Sequence, residues 1–170
     1  MSKLAIVVDH FLPRIGGIEL QVHDLAFALS KHFEKIDIIT TTPIAKEITI
    51  ASNIQIIRIK TPLLPKLTVA FTPHMIPKIK ALLLKNNYDM VHLHCSVVSP
   101  MVFTAFIYLN RWKRPHVMTA HSLHETSGWW YRYLKHLSPS LKHVTTLFCG
   151  VSNKVNEGLM AVFPQGHFSL

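Results

Sequence analysis

Cysteines and acidic residues are scarce in this sequence of 170 residues. Its two cysteines are too few for a disulfide framework and favour free thiols in a reducing, cytoplasmic compartment. Nine acidic residues against 18 basic ones leave a formal net charge of +9. This balance favours anionic partners, such as phosphorylated small molecules, an anionic membrane surface or nucleic acid; an ordinary basic surface is the simpler alternative.

Long hydrophobic runs are also absent. The longest uncharged stretch, residues 95–110, contains Pro100 and falls short of the ~20 apolar residues that a membrane-spanning helix needs. The opening "KLAIVV" is too short for the apolar core of a secretory signal. With 49% hydrophobic residues, the chain is expected to form one domain with a substantial core.

Short runs rich in Ile and Val alternate with helical runs along the chain. Apolar stripes beginning at Ile18 and Met75 predict two helices, and Ser99 and Ser152 are expected to cap two more. A partly helical segment at 125–143 and an extra short strand at 47–51 are also predicted. The six strand-like runs are 4–8, 36–40, 54–59, 90–94, 116–120 and 145–149. This alternation predicts an α/β fold with a Rossmann-like, doubly wound, mainly parallel sheet.

Polar residues follow the ends of several predicted strands. In a doubly wound sheet, ligands bind beyond the carboxyl ends of the strands, so these residues are expected to gather around one site. They are Asp9, His10, His94, Cys95, Ser96, His121, Ser122, Gly150 and Ser152.

Two adjacent glycines, Gly16 and Gly17, open the first predicted helix. Free N–H groups and the positive end of the helix dipole can hold an anion there, and glycine lets it approach closely. The pattern lacks the three spaced glycines of a dinucleotide fingerprint and the Gly-Lys-Ser/Thr of a P-loop. A tight turn that needs positive φ is the alternative explanation for the pair.

Other chemistries have weaker support. His92, His94, His121 and His124 are numerous enough for a zinc site, but their spacing matches no specific zinc signature, and we predict no metal. His92 is expected to be a buried, hydrogen-bonded histidine. No nucleic-acid-binding motif is present, so nucleic acid is not an expected partner. Neither cysteine has a base fixed beside it, which argues against a catalytic thiol.

Four blocks of the sequence resemble family 4 glycosyltransferases of the GT-B fold. They occur in the order of that family and span nearly the whole chain. "GGIE" together with "TAHSL" is further similar to the phosphatidylinositol N-acetylglucosaminyltransferase branch. The blocks are "VVDHFLPRIGGIELQVHDLAFALSKHFEKIDIIT", "YDMVHLHCSVVSP", "RPHVMTAHSLHE" and "LFCGVSNKVNEGL".

The resemblance implies one half of a two-domain enzyme. In that family, two Rossmann-like domains face each other across a cleft, and the C-terminal domain carries most of the nucleotide-sugar site. Residues 1–170 are then expected to be the N-terminal, acceptor-side domain without the C-terminal one, and to be inactive alone. The implied reaction moves a sugar from a nucleotide-sugar donor to a sugar or lipid-linked acceptor, in most members with retention and without a metal; no cofactor is expected.

The resemblance also implies residue roles. Gly16 and Gly17 would approach the donor phosphate or the acceptor. His121 would lie near the transferred sugar as the catalytic residue and would orient or polarise it, unless it is an ordinary loop histidine.

Five further residues are implied to line the cleft. Asp9 and Glu19 would lie on the acceptor side, with capping of helices and loops as the alternative. His94 and Ser96 would form the cleft floor, and Ser122 would lie beside the catalytic histidine.

Two clusters of basic and aromatic residues, 111–116 and 129–136, are typical of contact with an anionic membrane surface. Peripheral attachment at the inner face of a membrane is the corresponding expectation, and tryptophans packed on the core are the alternative. A different functional class also stays open: a non-catalytic binding module, or half of a split transferase that works with a partner subunit.

Overall fold

The computed structural model describes residues 2–44, 48–63, 70, 73–122 and 146–169. Within them lie seven strands: β1 (Lys3–Val8), β2 (Lys35–Thr40), β3 (Ile54–Arg58), β4 (Met90–Cys95), β5 (His116–Ala120), β6 (Thr146–Gly150) and β7 (His167–Ser169). All pair in parallel in one sheet of order β3-β2-β1-β4-β5-β6-β7. The predicted α/β class with a parallel sheet is confirmed, as are the six predicted strands to within one residue at each end.

Four helices connect or flank these strands: α1 (Gly17–Leu29), α2 (Met75–Asn86), α3 (Pro100–Arg111) and α4 (Asn153–Val162). Each matches a predicted helix, although α1 ends at Leu29, whereas its predicted apolar stripe continues to Phe33. The Ser152 side chain accepts a hydrogen bond from the Val155 N–H at 3.4 Å, which confirms its capping role. Among the described helices, none is long and apolar enough to cross a membrane.

The helices cover both faces of the sheet, as expected for a doubly wound fold. Val22 and Ala26 of α1 pack with Leu4, Ile6 and other β1 and β2 residues on one face. On the other face α2, α3 and α4 pack on a larger core that includes Val7. Since alternate residues of a strand point to opposite faces, burying both faces requires the continuous apolar runs seen in the sequence.

Two features differ from the sequence predictions, and a third prediction falls outside the described residues. β7 was not predicted, because Phe168 is the only apolar residue in this three-residue strand and gives no periodic signal. Residues 48–51 of the predicted extra strand form no strand. The segment 125–143 lies outside the described residues.

Candidate functional site

The candidate site lies at the edge of the sheet formed by the carboxyl ends of the strands, hereafter the carboxyl edge. Strand order reverses between β1 and β4, because β1 leads to β2 on one side and β4 leads to β5 on the other. Such a switch point leaves a crevice between the loops that follow the two strands. Here the crevice lies between the Gly16–Gly17 loop after β1 and the histidines at the ends of β4 and β5.

Two histidines contact each other at this crevice. His94 Nδ1 and His121 Nε2 lie 3.0 Å apart, and the His121 backbone N–H donates to the Cys95 carbonyl at 2.9 Å. Burial lowers the pKa of both imidazoles, that of His94 most strongly. Both rings are therefore neutral at pH 7, and one N–H···N hydrogen bond joins them.

His92 lies behind this pair on the same face of β4. Its Nε2 lies 2.8 Å from Thr119 Oγ1 on β5, and its ring contacts that of His94 at a tilt of 37°, with centroids 4.2 Å apart. Burial lowers the pKa of His92 to about 4. His92 is hydrogen-bonded as predicted, but it is partly rather than fully buried.

Asp9 is buried behind the carboxyl edge, with 2% of its surface exposed. Its carboxylate accepts hydrogen bonds from the Met101 and Val102 N–H groups, at 3.0 and 3.3 Å, at the start of α3. Ser99, the predicted cap of that helix, occupies the N-cap position, but its hydroxyl accepts from the Ser96 N–H instead. Asp9 therefore caps α3 in its place, which favours the helix-capping alternative for this residue.

Gly16 is the N-cap of α1 and has extended backbone angles, with φ of −164°. No described glycine has positive φ, so the tight-turn explanation of the glycine pair is wrong. A Cβ on Gly16 would lie 2.5 Å from Glu19 Oε2, because the buried Glu19 side chain folds back over the start of its own helix. Glu19 also forms an ion pair with Arg14, whose Nε lies 3.4 Å from Glu19 Oε1.

Gly17 differs from its neighbour. No atom lies within 4 Å of the position that a Cβ would occupy, so packing within the chain does not require glycine there. The residue is exposed at the first turn of α1, where N–H groups lack intrahelical partners. The space beside the Gly17 backbone is therefore open on the side where a Cβ would lie.

Both serines predicted for the cleft flank the histidine pair. Ser96 follows β4, is partly buried, and has its hydroxyl 3.3 Å from Ser99 Oγ. Ser122 follows His121 directly and is also partly buried. Both positions border the switch-point crevice.

Both cysteines have surroundings that disfavour the thiolate form. Burial raises the pKa of the Cys95 thiol to about 12, and burial also raises the pKa of Cys149. Both thiols are therefore protonated at neutral pH. This agrees with the expectation that neither cysteine is catalytic.

Metal binding and membrane contact gain no support from the geometry. Within the described ranges, no cluster of three or more histidine, cysteine or acidic side chains could hold a metal ion, and His124 lies outside them.

In the basic and aromatic segment 111–116, Trp112 stacks on Tyr108 and packs against the core, as the alternative interpretation expected. Residues 129–136 lie outside the described residues.

A cavity of about 680 Å³ opens at the same carboxyl edge, beyond β2 and β3. Isoleucines supply most of its apolar surface, and threonine hydroxyls and two basic side chains supply the polar groups. Sequence reasoning missed this site; the signal was a lone arginine in the otherwise apolar strand "IQIIRI". Its lining includes Thr41, Thr42, Ile56, Arg58, Ile59 and Lys60.

Apolar side chains project from three loops of this edge. Ile15 after β1 is 78% exposed, Ile44 after β2 is 65% exposed, and Val151 after β6 is 49% exposed. Large apolar groups are normally buried, so exposed ones on three loops of one edge favour an interaction surface along that edge.

Comparisons with known proteins identify the fold and the family. The family model of Glycosyltransferase Family 4 matches residues 15–163. Among solved structures, the chain is similar to one described as a UDP-N-acetylglucosamine 2-epimerase from Listeria monocytogenes, with a TM-score of 0.60 and 14% identity. The match covers 94% of this chain but 41% of that one, and at this identity it establishes the fold alone. No curated protein matches the chain in sequence.

Proposed function

Since the chain belongs to glycosyltransferase family 4, we propose that it is the N-terminal, acceptor-side domain of an enzyme that transfers a sugar from a nucleotide-sugar donor to an acceptor. One observation carries this proposal. The unobstructed backbone at Gly17 and the His94–His121 pair occupy loops on either side of the switch-point crevice, which is where such folds bind ligands.

The donor end of the substrate fits this crevice. The free N–H groups at the start of α1 and the positive end of its dipole favour a phosphate or a sugar oxygen at Gly17. His121 is half-buried and neutral, so it suits hydrogen bonding to an uncharged sugar hydroxyl better than pairing with a phosphate. In this proposal His121 orients the transferred sugar.

The acceptor fits the cavity beyond β2 and β3. Three strand spacings separate the middle of the β2–β3 pair from that of the β4–β5 pair, which places the cavity roughly 14 Å from the histidines. Its mixture of isoleucines and hydroxyls suits an amphipathic molecule, such as a sugar joined to a lipid. The net charge of +9 supports a phosphorylated or membrane-bound acceptor of this kind, met at the inner face of a membrane.

A second domain or subunit would complete the site. The exposed Ile15, Ile44 and Val151 follow three strands of the carboxyl edge and provide apolar surface for such a partner. A split transferase, in which this chain pairs with a separate nucleotide-binding chain, is the second candidate, and the same surface supports it. Co-purification with a second Rossmann-like chain would distinguish it from a single two-domain enzyme.

Titration with nucleotide sugars tests the proposal. Amide NMR of the 15N-labelled chain with UDP, GDP and their sugar derivatives is expected to show shifts confined to Gly16, Gly17 and the neighbourhood of His121, even at millimolar affinity. An alkyl glycoside, as an amphipathic acceptor probe, is expected to shift amides around Thr41 and Ile59 instead.

Two alanine variants serve as a matched pair in this titration. His121→Ala is expected to weaken sugar-nucleotide binding about fivefold to tenfold, because one hydrogen bond to the ligand contributes about 1 kcal/mol. His32→Ala changes an exposed histidine just beyond the opposite end of α1 and is expected to leave binding unchanged. Equal affinities for both variants, or shifts scattered over the surface, would refute the assignment of the crevice.

Gly17→Ala separates a binding role from a structural one. Alanine forms helices better than glycine and its methyl group meets no atom, so the variant is expected to be as stable as the wild type or up to about 1 kcal/mol more stable. The same methyl group would obstruct a ligand at the helix start, so nucleotide-sugar affinity is expected to fall at least tenfold. Thermal unfolding and the NMR titration measure the two effects, and unchanged affinity would remove Gly17 from the site.

A further inference from the structure

We propose that His94 is a positioning residue that fixes the tautomer of His121, so that His121 offers an N–H donor at Nδ1 to the bound ligand. The nature of that ligand rests on the proposed function. The tautomer itself does not, because it is a property of the free protein.

The rings of His94 and His121 contact each other directly. His94 Nδ1 and His121 Nε2 lie 3.0 Å apart, which is a hydrogen-bond distance between two ring nitrogens. A neutral imidazole has one N–H and one lone pair, so one ring donates in this contact and the other accepts. In each ring, the second nitrogen then has the opposite role. It is a lone pair in the ring that donates and an N–H in the ring that accepts.

Two arrangements satisfy this condition. In the first, His94 donates from Nδ1, so its Nε2 is a lone pair and His121 carries its hydrogen on Nδ1. In the second, His121 donates from Nε2, so its own Nδ1 is a lone pair and His94 carries its hydrogen on Nε2. The two arrangements present opposite groups to the crevice: a donor in the first and an acceptor in the second.

The surroundings of His94 decide between them. His94 is 2% exposed, and its Nε2 is buried without any hydrogen-bond partner. The second arrangement would bury an unpaired N–H at that atom, whereas the first buries only an unpaired lone pair. Orphaned buried N–H groups are rarer in proteins than unsatisfied acceptors, so the first arrangement has the lower free energy.

The neighbouring side chains hold His94 in this position. The His92 ring packs against it at a tilt, and a hydrogen bond joins His92 to Thr119 on β5. His121 is anchored through its backbone N–H to the Cys95 carbonyl. The two rings are therefore held in place before a ligand arrives. A hydrogen bond to one imidazole nitrogen then determines whether the other nitrogen carries the hydrogen.

The consequence for recognition is specific. His121 is partly buried, and Nδ1 is the ring nitrogen that does not face His94, so it is the nitrogen that we propose meets the ligand. As an N–H donor it selects an oxygen acceptor, such as a sugar hydroxyl or ring oxygen. It cannot act as a general base through that atom, because the lone pair is on the nitrogen that faces His94.

Side-chain 15N NMR at neutral pH tests the tautomer directly, since protonated and unprotonated imidazole nitrogens have well separated chemical shifts. In the wild type, His121 is expected to carry hydrogen on Nδ1. In His94→Leu it is expected to revert to Nε2–H, the form that free imidazole side chains prefer in water. His94→Asn keeps an N–H donor near the original Nδ1 and is expected to restore the Nδ1–H form.

His32→Gln is the control, because it changes an exposed histidine outside the contact, and the His121 tautomer is expected to stay unchanged. An Nε2–H tautomer of His121 in the wild type would overturn the proposal, even if no variant folded. So would a tautomer that is the same in the wild type and His94→Leu. If the tautomer is as expected but no nucleotide sugar shifts the His121 signals, the positioning role stands and the proposed ligand fails.

Discussion

Lowering the pH from 6.5 to 4 is expected to unfold this protein. His116 is buried in the sheet and His92 is partly buried there, and burial lowers the pKa of each to about 4 from an ordinary value of 6.5. His116 is fixed as a neutral ring, because its Nδ1–H donates to the Arg114 carbonyl at 2.8 Å and its Nε2 accepts from the Thr146 hydroxyl at 2.6 Å. Protonation would therefore place a charge in the core.

The direction follows from which state binds more protons. In the unfolded chain these histidines take up protons near pH 6.5, but in the folded chain only near pH 4, so stability is fully present above 6.5 and is lost as the pH falls toward 4. At about 1.4 kcal/mol for each pKa unit, each histidine removes about 3 kcal/mol. His94 acts in the same direction, because its pKa is also well below the ordinary value.

Asp9 opposes this trend. Burial raises the pKa of its carboxyl group to about 7, so its contribution is present below about pH 4 and is lost as the pH rises through 7. One carboxyl group offsets about one histidine, and at least two histidines remain uncompensated. Their combined effect is comparable with the 5–15 kcal/mol that stabilises a typical domain.

Thermal unfolding followed by circular dichroism between pH 7.5 and pH 4 measures this effect. His116→Gln removes one of the titrating groups and is expected to flatten the fall in Tm, whereas His32→Gln, on the surface, is expected to leave its slope unchanged. A Tm that is constant from pH 6.5 to 4.5, or identical slopes for the two variants, would contradict the assignment of buried neutral histidines.

Phe148→Ala is expected to destabilise the fold by about 3–5 kcal/mol, the usual cost of removing a buried aromatic ring. Phe148 lies in β6 and is 0% exposed. Its ring stacks on Phe163 at 5.0 Å and on Phe168 at 5.4 Å between centroids, and lies 6.0 Å from Phe106. The variant therefore opens a cavity between β6, β7, α3 and the end of α4.

Urea unfolding of this variant has a matched control in the adjacent residue. Leu147 points to the opposite face of β6 and is 39% exposed, so Leu147→Ala is expected to cost less than about 1.5 kcal/mol. Equal losses for the two variants would show that Phe148 does not form the centre of this core. Loss of the aromatic ring should also release β7, whose central residue packs on it.

The parts of this protein that depend on local patterns could be predicted from the sequence. Buried parallel strands need continuous runs of β-branched residues, and amphipathic helices need apolar stripes, so six strands and four helices were identified within a few residues. The strand–helix alternation then allows few topologies, which is why the pattern alone was enough to assign the polar strand ends to one edge. β7 escaped because three residues contain too little periodicity to detect.

Only the tertiary structure decided what the polar residues at that edge do. Asp9 caps a helix that begins 91 residues later in the chain, and nothing near Asp9 in the sequence identifies this partner. His94 and His121 meet because β4 and β5 pair in one register and bring together residues 27 positions apart. Of the two glycines, only the packing shows that a Cβ on Gly16 would collide with Glu19 while a Cβ on Gly17 would meet open space. Secondary structure is encoded by neighbours along the chain, but burial and hydrogen-bond partners are set by distant segments that the sheet brings together.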